Sequence, residues 1–311
     1  MISKVHLQAT VAMQRKIIYI INPISGTSEK KELLRLVEKK TEQEKIPFSV
    51  YPSVANGDYS FLKPIIEKEK ITDVVIAGGD GTVSRVVGSL LNCDVNFGIL
   101  PSGSGNGLAF AAKIPDQPGK ALAVIYHGKP VLIDGFFIND DFACMLSGLG
   151  FDARVAHDFA QQSKRGLASY IKLVVRNFLK AKTHSFIIEL SKMKFETDAY
   201  FISIANSNQF GNNFTIAPKA SLHDGLLDVV IVTKQNKLSM ILQMLRQLGG
   251  QNKLQLDTAI DRKKAVIYFQ TGELTIINSS LAPMHIDGEP VETPDKLKIE
   301  IRKKCFRLIQ P

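Results

Sequence analysis

The sequence predicts an α/β domain followed by a β-rich second domain. Three observations carry this. Short apolar runs alternate with helical patterns through the first part of the chain, and three of those runs end in glycine-containing loops. Beyond about Val131 the rhythm changes to alternating apolar and polar residues. Strand alternating with helix gives a mostly parallel sheet covered on both faces, with ligands beyond the C-terminal strand ends. Alternation is the mark of half-buried antiparallel strands.

Lys16–Ile21 reads as the first strand and runs into Asn22-Pro23-Ile24-Ser25-Gly26-Thr27. Leu33, Leu34, Leu36 and Val37 mark an amphipathic helix up to about Lys45. Phe48–Tyr51 is a strand and Leu62–Lys70 a helix. Val74–Ala77 is a buried strand that breaks into Gly78, Gly79 and Gly81, after which Val83, Val86, Val87 and Leu90 recur at helical spacing. Phe97–Leu100 repeats the plan, passing through Gly103, Ser104 and Gly105 to a helix from about Asn106. In the second part, strands are expected at Ala143–Leu149, Phe186–Leu190, Ala199–Ala205, Leu227–Val232, Ala265–Phe269, Leu274–Asn278 and Leu297–Arg302. Helices are expected near 157–180 and 237–248. The boundary falls near Asp134, giving domains 14–134 and 135–302.

A chain of 311 residues suits two domains, and 45% hydrophobic residues exclude a disordered chain. The net charge of +9 suits an anionic partner. Cys93, Cys144 and Cys305 are odd in number and far apart, which fits buried thiols in a reducing cytoplasm. No apolar run is long enough to span a bilayer, and His6, Gln8 and Thr10 interrupt any secretory core. Membrane contact is therefore expected to be peripheral.

Glycine loops under helix N-termini leave backbone N–H groups free for phosphate. Gly78-Gly79-Asp80-Gly81-Thr82 is the strongest such signal. Asp80 could bind Mg²⁺ or order a phosphate-bound water, and Thr82 could cap the helix or donate to phosphate. The plainer alternative is a tight strand-to-helix turn. Three glycines and an aspartate in five residues exceed what a turn needs.

GGDGT, with NPxSG upstream and PSGSGNGLA downstream, resembles the catalytic domain shared by diacylglycerol kinases, sphingosine kinases and bacterial lipid kinases. The resemblance continues through Ile133-Asp134, Gly148–Asp152, Lys164-Arg165-Gly166, Asp224–Asp228 and Asp287-Gly288-Glu289 in the family's order. It implies a three-layer, NAD-kinase-like nucleotide domain and a C-terminal β-sandwich, with residues 303–311 returning to the first domain. It implies that Asn22, Ser25, Gly26, Gly79, Gly81, Thr82, Gly103, Ser104, Gly105 and Asn106 hold the nucleotide. Glu289 matches the general base of bacterial diacylglycerol kinases, and Asp80 the base of sphingosine kinases. We favour Glu289, with Asp80 acting through Mg²⁺ and water. In isolation, Asp287-Gly288-Glu289 reads as a hairpin turn. Asp224 matches a structural Mg²⁺ site in some bacterial relatives, beside its plain reading as a turn before a strand. Lys164 and Arg165 match basic positions facing phosphate.

The implied activity is transfer of the γ-phosphate of ATP, with Mg²⁺, to a primary hydroxyl of a membrane lipid. Diacylglycerol is the first acceptor and a sphingoid base the second. NAD kinase and a non-catalytic regulator are the rivals. Nucleic acid is not an expected partner, and a homodimer is one assembly the sequence allows. Lys172, Arg176 and Lys180 read as a solvated helix face, with membrane contact the alternative. The chain departs from the family at Arg85, where a carboxylate is usual.

Overall fold

The computed structural model describes residues 14–21, 28–103, 105–151, 153, 181–209, 216–234 and 252–311. The expectations placed on Asn22, Ser25, Gly26, Ser104, Lys164 and Arg165 lie outside these residues, as do the helices expected near 157–180 and 237–248.

Ile17–Ile20 (β1) is buried along its whole length, as four consecutive apolar residues require when helices cover both faces. Then come Ser28–Gln43 (α1), Phe48–Tyr51 (β2), Lys63–Glu69 (α2), Asp73–Gly78 (β3) and Asp80–Leu90 (α3). Asn96–Pro101 (β4), Gly107–Ala111 (α4) and Pro118–His127 (α5) complete this half. The strands lie parallel in the order β2-β1-β3-β4, with Ile17 opposite both Phe48 and Asp73, and Asp73 opposite Asn96. Asp73 is buried at the foot of β3, where Arg15 grips it from 2.8 and 3.1 Å. The same guanidinium donates to the carbonyls of Ile125 and Tyr126, so one cation closes the end of α5 and satisfies a buried carboxylate.

The second half contains Lys129–Ile138 (β5), Asp141–Ala143 (β6), Leu146–Gly150 (β7), His184–Leu190 (β8), Met193–Ala205 (β9) and Leu227–Thr233 (β10). Val266–Thr271 (β11), Glu273–Ile277 (β12), Met284–Ile286 (β13), Glu289–Val291 (β14) and Lys296–Gln310 (β15) follow. The long β9 pairs antiparallel with β8 through its first part and lies between β7 and β10 through its second. It thereby joins two antiparallel layers, β14-β13-β7-β9-β10-β11 and β9-β8-β12-β15-β5-β6. Phe136, Phe186, Ile204, Ile231, Phe269 and Ile299 belong to the core of this half.

Several elements differ from the sequence reading: α5 and β5 were not expected, β9 begins at Met193 and not at Ala199, and two further strands take a different course. The single strand expected over Ala143–Leu149 is broken between β6 and β7. At the break, the N–H groups of Cys144, Met145 and Leu146 turn to the carboxylate of Asp287. The strand expected over Leu297–Arg302 instead continues to Gln310. β15 pairs with β12 and β5, and then Arg307 and Leu308 run parallel to Asn96 and Phe97 of β4. Lys303-Lys304-Cys305 hid this continuity by interrupting the apolar alternation. The register against β5 shifts between Arg302 and Phe306, and Lys304 takes φ 49°. Asp134, midway along β5, holds the kink by accepting the Lys304 N–H at 2.6 Å and the Gly225 N–H at 2.7 Å.

Asp228 on β10 is fully buried and accepts hydrogen bonds from the Tyr268 hydroxyl and from Gln270 Nε2 at 2.9 Å. Burial pushes its carboxyl up to about 6 despite both donors. A folded carboxyl that holds its proton more tightly than the unfolded one loses stability as pH rises from about 4 to about 6. The loss is on the order of 3 kcal/mol for a shift of about two units. Asp228→Asn keeps the Tyr268 bond and, with the Gln270 amide turned over, the second contact. Its stability relative to the parent should therefore grow across that pH window in urea titrations. An unchanged difference between the two proteins from pH 4 to pH 7 would show that Asp228 stays charged throughout.

Candidate active site

The glycine turns at the ends of β3 and β4 meet backbone to backbone. A Cβ on Gly103 would lie 2.4 Å from the Gly79 Cα, and a Cβ on Gly79 would lie 3.1 Å from the Gly103 Cα. No larger residue fits at Gly103 without parting the turns. Asn106, at φ 51°, clasps its own loop by accepting the Gly103 N–H at 2.9 Å and donating to the Gly103 carbonyl at 3.0 Å. The loop also docks on β3 through the Ser102 N–H, 3.1 Å from the Gly78 carbonyl.

Two helix N-termini face this junction and are treated differently. The α4 terminus is capped by Asp80, whose oxygens accept the N–H groups of Gly107 at 2.9 Å and Leu108 at 3.0 Å. Among the described residues, no side chain of another residue caps the terminus of α3. The N–H groups of its first turn are thus left for another acceptor, and phosphate oxygens are the acceptors such a terminus suits. Burial pushes the Asp80 carboxyl up to about 6, partly offset by those two N–H bonds, with the Asp287 charge adding to the rise. Asp80 is therefore first a brace between the glycine turns. Thr82 packs against Gly78, where a Cβ would come 2.9 Å from the threonine Cβ. Gly105 lies half-buried beside Asn106.

The opposite wall comes from the β13–β14 hairpin. Asp287 and Gly288 take φ 46° and 83°, the left-handed pair that a tight two-residue turn requires. The Asp287 carboxylate accepts Ser84 Oγ, Cys144 N at 2.9 Å, Met145 N at 3.1 Å and Leu146 N at 2.7 Å. Burial raises its pKa against the pull of these donors. Ser84 belongs to α3, so this one carboxylate ties the hairpin to the helix that starts at Asp80. Sequence reading missed Ser84, and it named Asp287 only as part of the hairpin motif. The available signal was a serine one helical turn after Asp80, among the buried Val83, Val86 and Val87.

With the hairpin fixed, Glu289 lies against Gly81, whose added Cβ would stand 2.4 Å from the glutamate Cγ and 2.9 Å from Oε1. The two line a cavity of about 340 Å³ with Asn56, Gly57, Ser84, Arg85, Asp141 and Phe142. The hairpin reading of Asp287–Glu289 holds, and the turn sets the Glu289 side chain against Gly81. Gly81→Ala should leave stability unchanged or raise it by up to ~1 kcal/mol, since alanine suits a helix better. It should lower turnover about 10- to 100-fold by displacing Glu289. A thermal melt paired with a turnover assay checks this; an equally active variant would mean that the contact is not needed.

Asp224 stands apart from this cleft's lining, exposed, with its carboxylate capping its own turn at Leu226 N, 3.0 Å. Partial burial and the neighbouring Asp134 charge raise its pKa. Among the described residues, no group of three or more His, Cys, Asp or Glu is disposed to hold a metal ion. No helix among them is long and apolar enough to cross a membrane.

Glycine turns and the start of α3, faced by a carboxylate from an antiparallel lobe, line one cleft in an α/β and β-sandwich protein. Residues 16–137 match the diacylglycerol kinase catalytic domain, and residues 146–310 match the YegS C-terminal NAD kinase beta sandwich-like domain. The chain belongs to the diacylglycerol kinase catalytic-domain family. It is 25% identical over 275 residues to the diacylglycerol kinase of Bacillus subtilis, covering 87% of this chain and 88% of that one. It is 28% identical over 232 residues to a probable lipid kinase YegS-like of Cronobacter sakazakii, covering 72% and 77%. The fold matches a crystal structure of a putative diacylglycerol kinase from Bacillus anthracis with TM-score 0.75 at 18% identity, over 97% of this chain and 98% of that one.

Proposed function

We propose that this protein transfers the γ-phosphate of ATP to a primary hydroxyl of a membrane lipid, with diacylglycerol the first acceptor and Glu289 the base. The supporting observation is the contact between Glu289 and Gly81, which puts a carboxylate beside the uncapped start of α3. Glu289 is exposed and lines the cleft, within reach of an acceptor bound there.

The N–H groups of the first α3 turn and the Gly79–Gly103 junction would hold the phosphates. Glycine admits the donor there without side-chain obstruction. The acceptor hydroxyl oxygen bonds to the γ-phosphorus, the bridge to the β-phosphate breaks, ADP leaves, and the hydroxyl proton passes to Glu289. Mg²⁺, when bound, neutralises charge on the phosphoryl oxygens, and Asp80 is the carboxylate at this helix start available to it. Burial and the Asp287 charge already raise the Asp80 pKa, and a cation would relieve that strain. A lipid acceptor requires the protein to work at a membrane surface, and the net charge of +9 favours an anionic one.

The test is purified protein with radiolabelled ATP, Mg²⁺ and mixed lipid extract. Labelled lipid is expected, with phosphatidic acid foremost. Transfer of the label to added NAD, giving NADP, in place of lipid, or ATP binding without transfer to any lipid, would defeat the proposal.

A further inference from the structure

Arg85 is a charged residue in the wall of this cleft that the proposed reaction does not use. It sits four residues after Gly81 on α3, so it lies on the same helix face, about 6 Å further from the phosphate-binding end. It lines the same cavity as Glu289 and is exposed. Among the described residues it makes no ion pair and no hydrogen bond.

Its position is nevertheless built. Gly57 takes φ 71°, and a Cβ there would fall 2.5 Å from Arg85 Cδ and 2.6 Å from a guanidinium nitrogen. The loop carrying Gly57 is itself fixed: Gly57 N bonds to the Val54 carbonyl at 3.2 Å, and Tyr59 N bonds to Ser89 Oγ of α3 at 3.1 Å. The end of the Arg85 side chain therefore rests in a groove that only glycine leaves open, and Arg85 lines the cavity that also holds Glu289. A cation held in place without a partner is disposed to bind an anion in a paired, hydrogen-bonded fashion.

We infer that Arg85 is a specificity-determining residue that binds an anionic group on the lipid acceptor, about one helical turn from the hydroxyl held at Glu289. This rests on the kinase reading above and narrows it. The acceptor would carry its own negative charge as well as the reacting alcohol. The donor's phosphates are the other source of anionic oxygen, and they lie at the opposite end of the Gly81–Arg85 turn.

Three acceptors that share a primary hydroxyl and differ in charge distinguish these cases: dioleoylglycerol, sphinganine and dioleoyl-phosphatidylglycerol. Each is presented to the full chain in vesicles with the same excess of phosphatidylserine, so that surface charge is constant. The anionic acceptor should show a kcat/KM about 10- to 100-fold above the neutral one, the range of a charge-assisted hydrogen bond. Arg85→Ala should bring that ratio close to one without changing KM for ATP, and Arg85→Glu should move the preference to sphinganine. A ratio near one in the parent protein, or an Arg85→Ala effect confined to KM for ATP, would overturn the assignment while leaving the kinase reading intact. No labelled product from any acceptor would remove both.

Discussion

Glu289→Gln lowers lipid phosphorylation by about 10²- to 10⁴-fold, the usual contribution of a positioned general base. ATP affinity and melting temperature stay at parental values. The separation of effects follows from the side chain's surroundings. Glu289 is exposed at the start of β14, so the amide replaces the carboxylate without leaving a buried group unpaired. The groups assigned to the phosphates, on α3 and at the Gly79–Gly103 junction, are untouched. Only proton acceptance is lost. Initial-rate assays beside nucleotide titration read the two quantities separately. Retained turnover would move the base to another group, with Asp80 first in line.

Asp287→Ala destabilises the protein by about 3–5 kcal/mol, because it strands several buried donors at once. Three backbone N–H groups and the Ser84 hydroxyl all point at this carboxylate, which is only 3% exposed. Burial raises the Asp287 pKa against the pull of these donors, so the carboxyl group leans on them for its place in the interior. The melting temperature should fall by about 5–8 °C. Because Asp287 also sets the hairpin that delivers Glu289, the surviving folded fraction should turn over slowly. A loss of less than about 1 kcal/mol in a denaturant titration would show that water replaces the carboxylate easily.

The first half of the fold was legible because its strands are short and mostly apolar, and β3 and β4 run into glycine turns. β1, β3 and β4 each fall within a residue or two of where Lys16–Ile21, Val74–Ala77 and Phe97–Leu100 placed them. The second half was legible as strands but not as connections. β5 went unread because it passes through both halves, and Pro130, Asp134 and Gly135 blur its pattern. The break at Cys144–Met145 is invisible locally, since its cause lies more than a hundred residues away at Asp287. In the site, GGDGT pointed to the phosphate-binding end, because glycine has a backbone meaning that needs no partner to interpret. That Gly81 faces Glu289 depends on a contact across the whole chain, and no spacing encodes it. The roles of Ser84 and Asp287 as a tie between the two halves were hidden for the same reason.

The passage of β5 and β15 through both halves has a practical consequence. β15 pairs with β12 near one end and with β4 near the other, while β5 accompanies it for most of its length. Any opening of the cleft must therefore come from twisting this shared ribbon, not from swinging on a flexible tether. A gene cut at Asp134 would give two fragments that each lack a central rib. Neither should fold alone, whereas co-expressed pieces that retain the ribbon could reassemble.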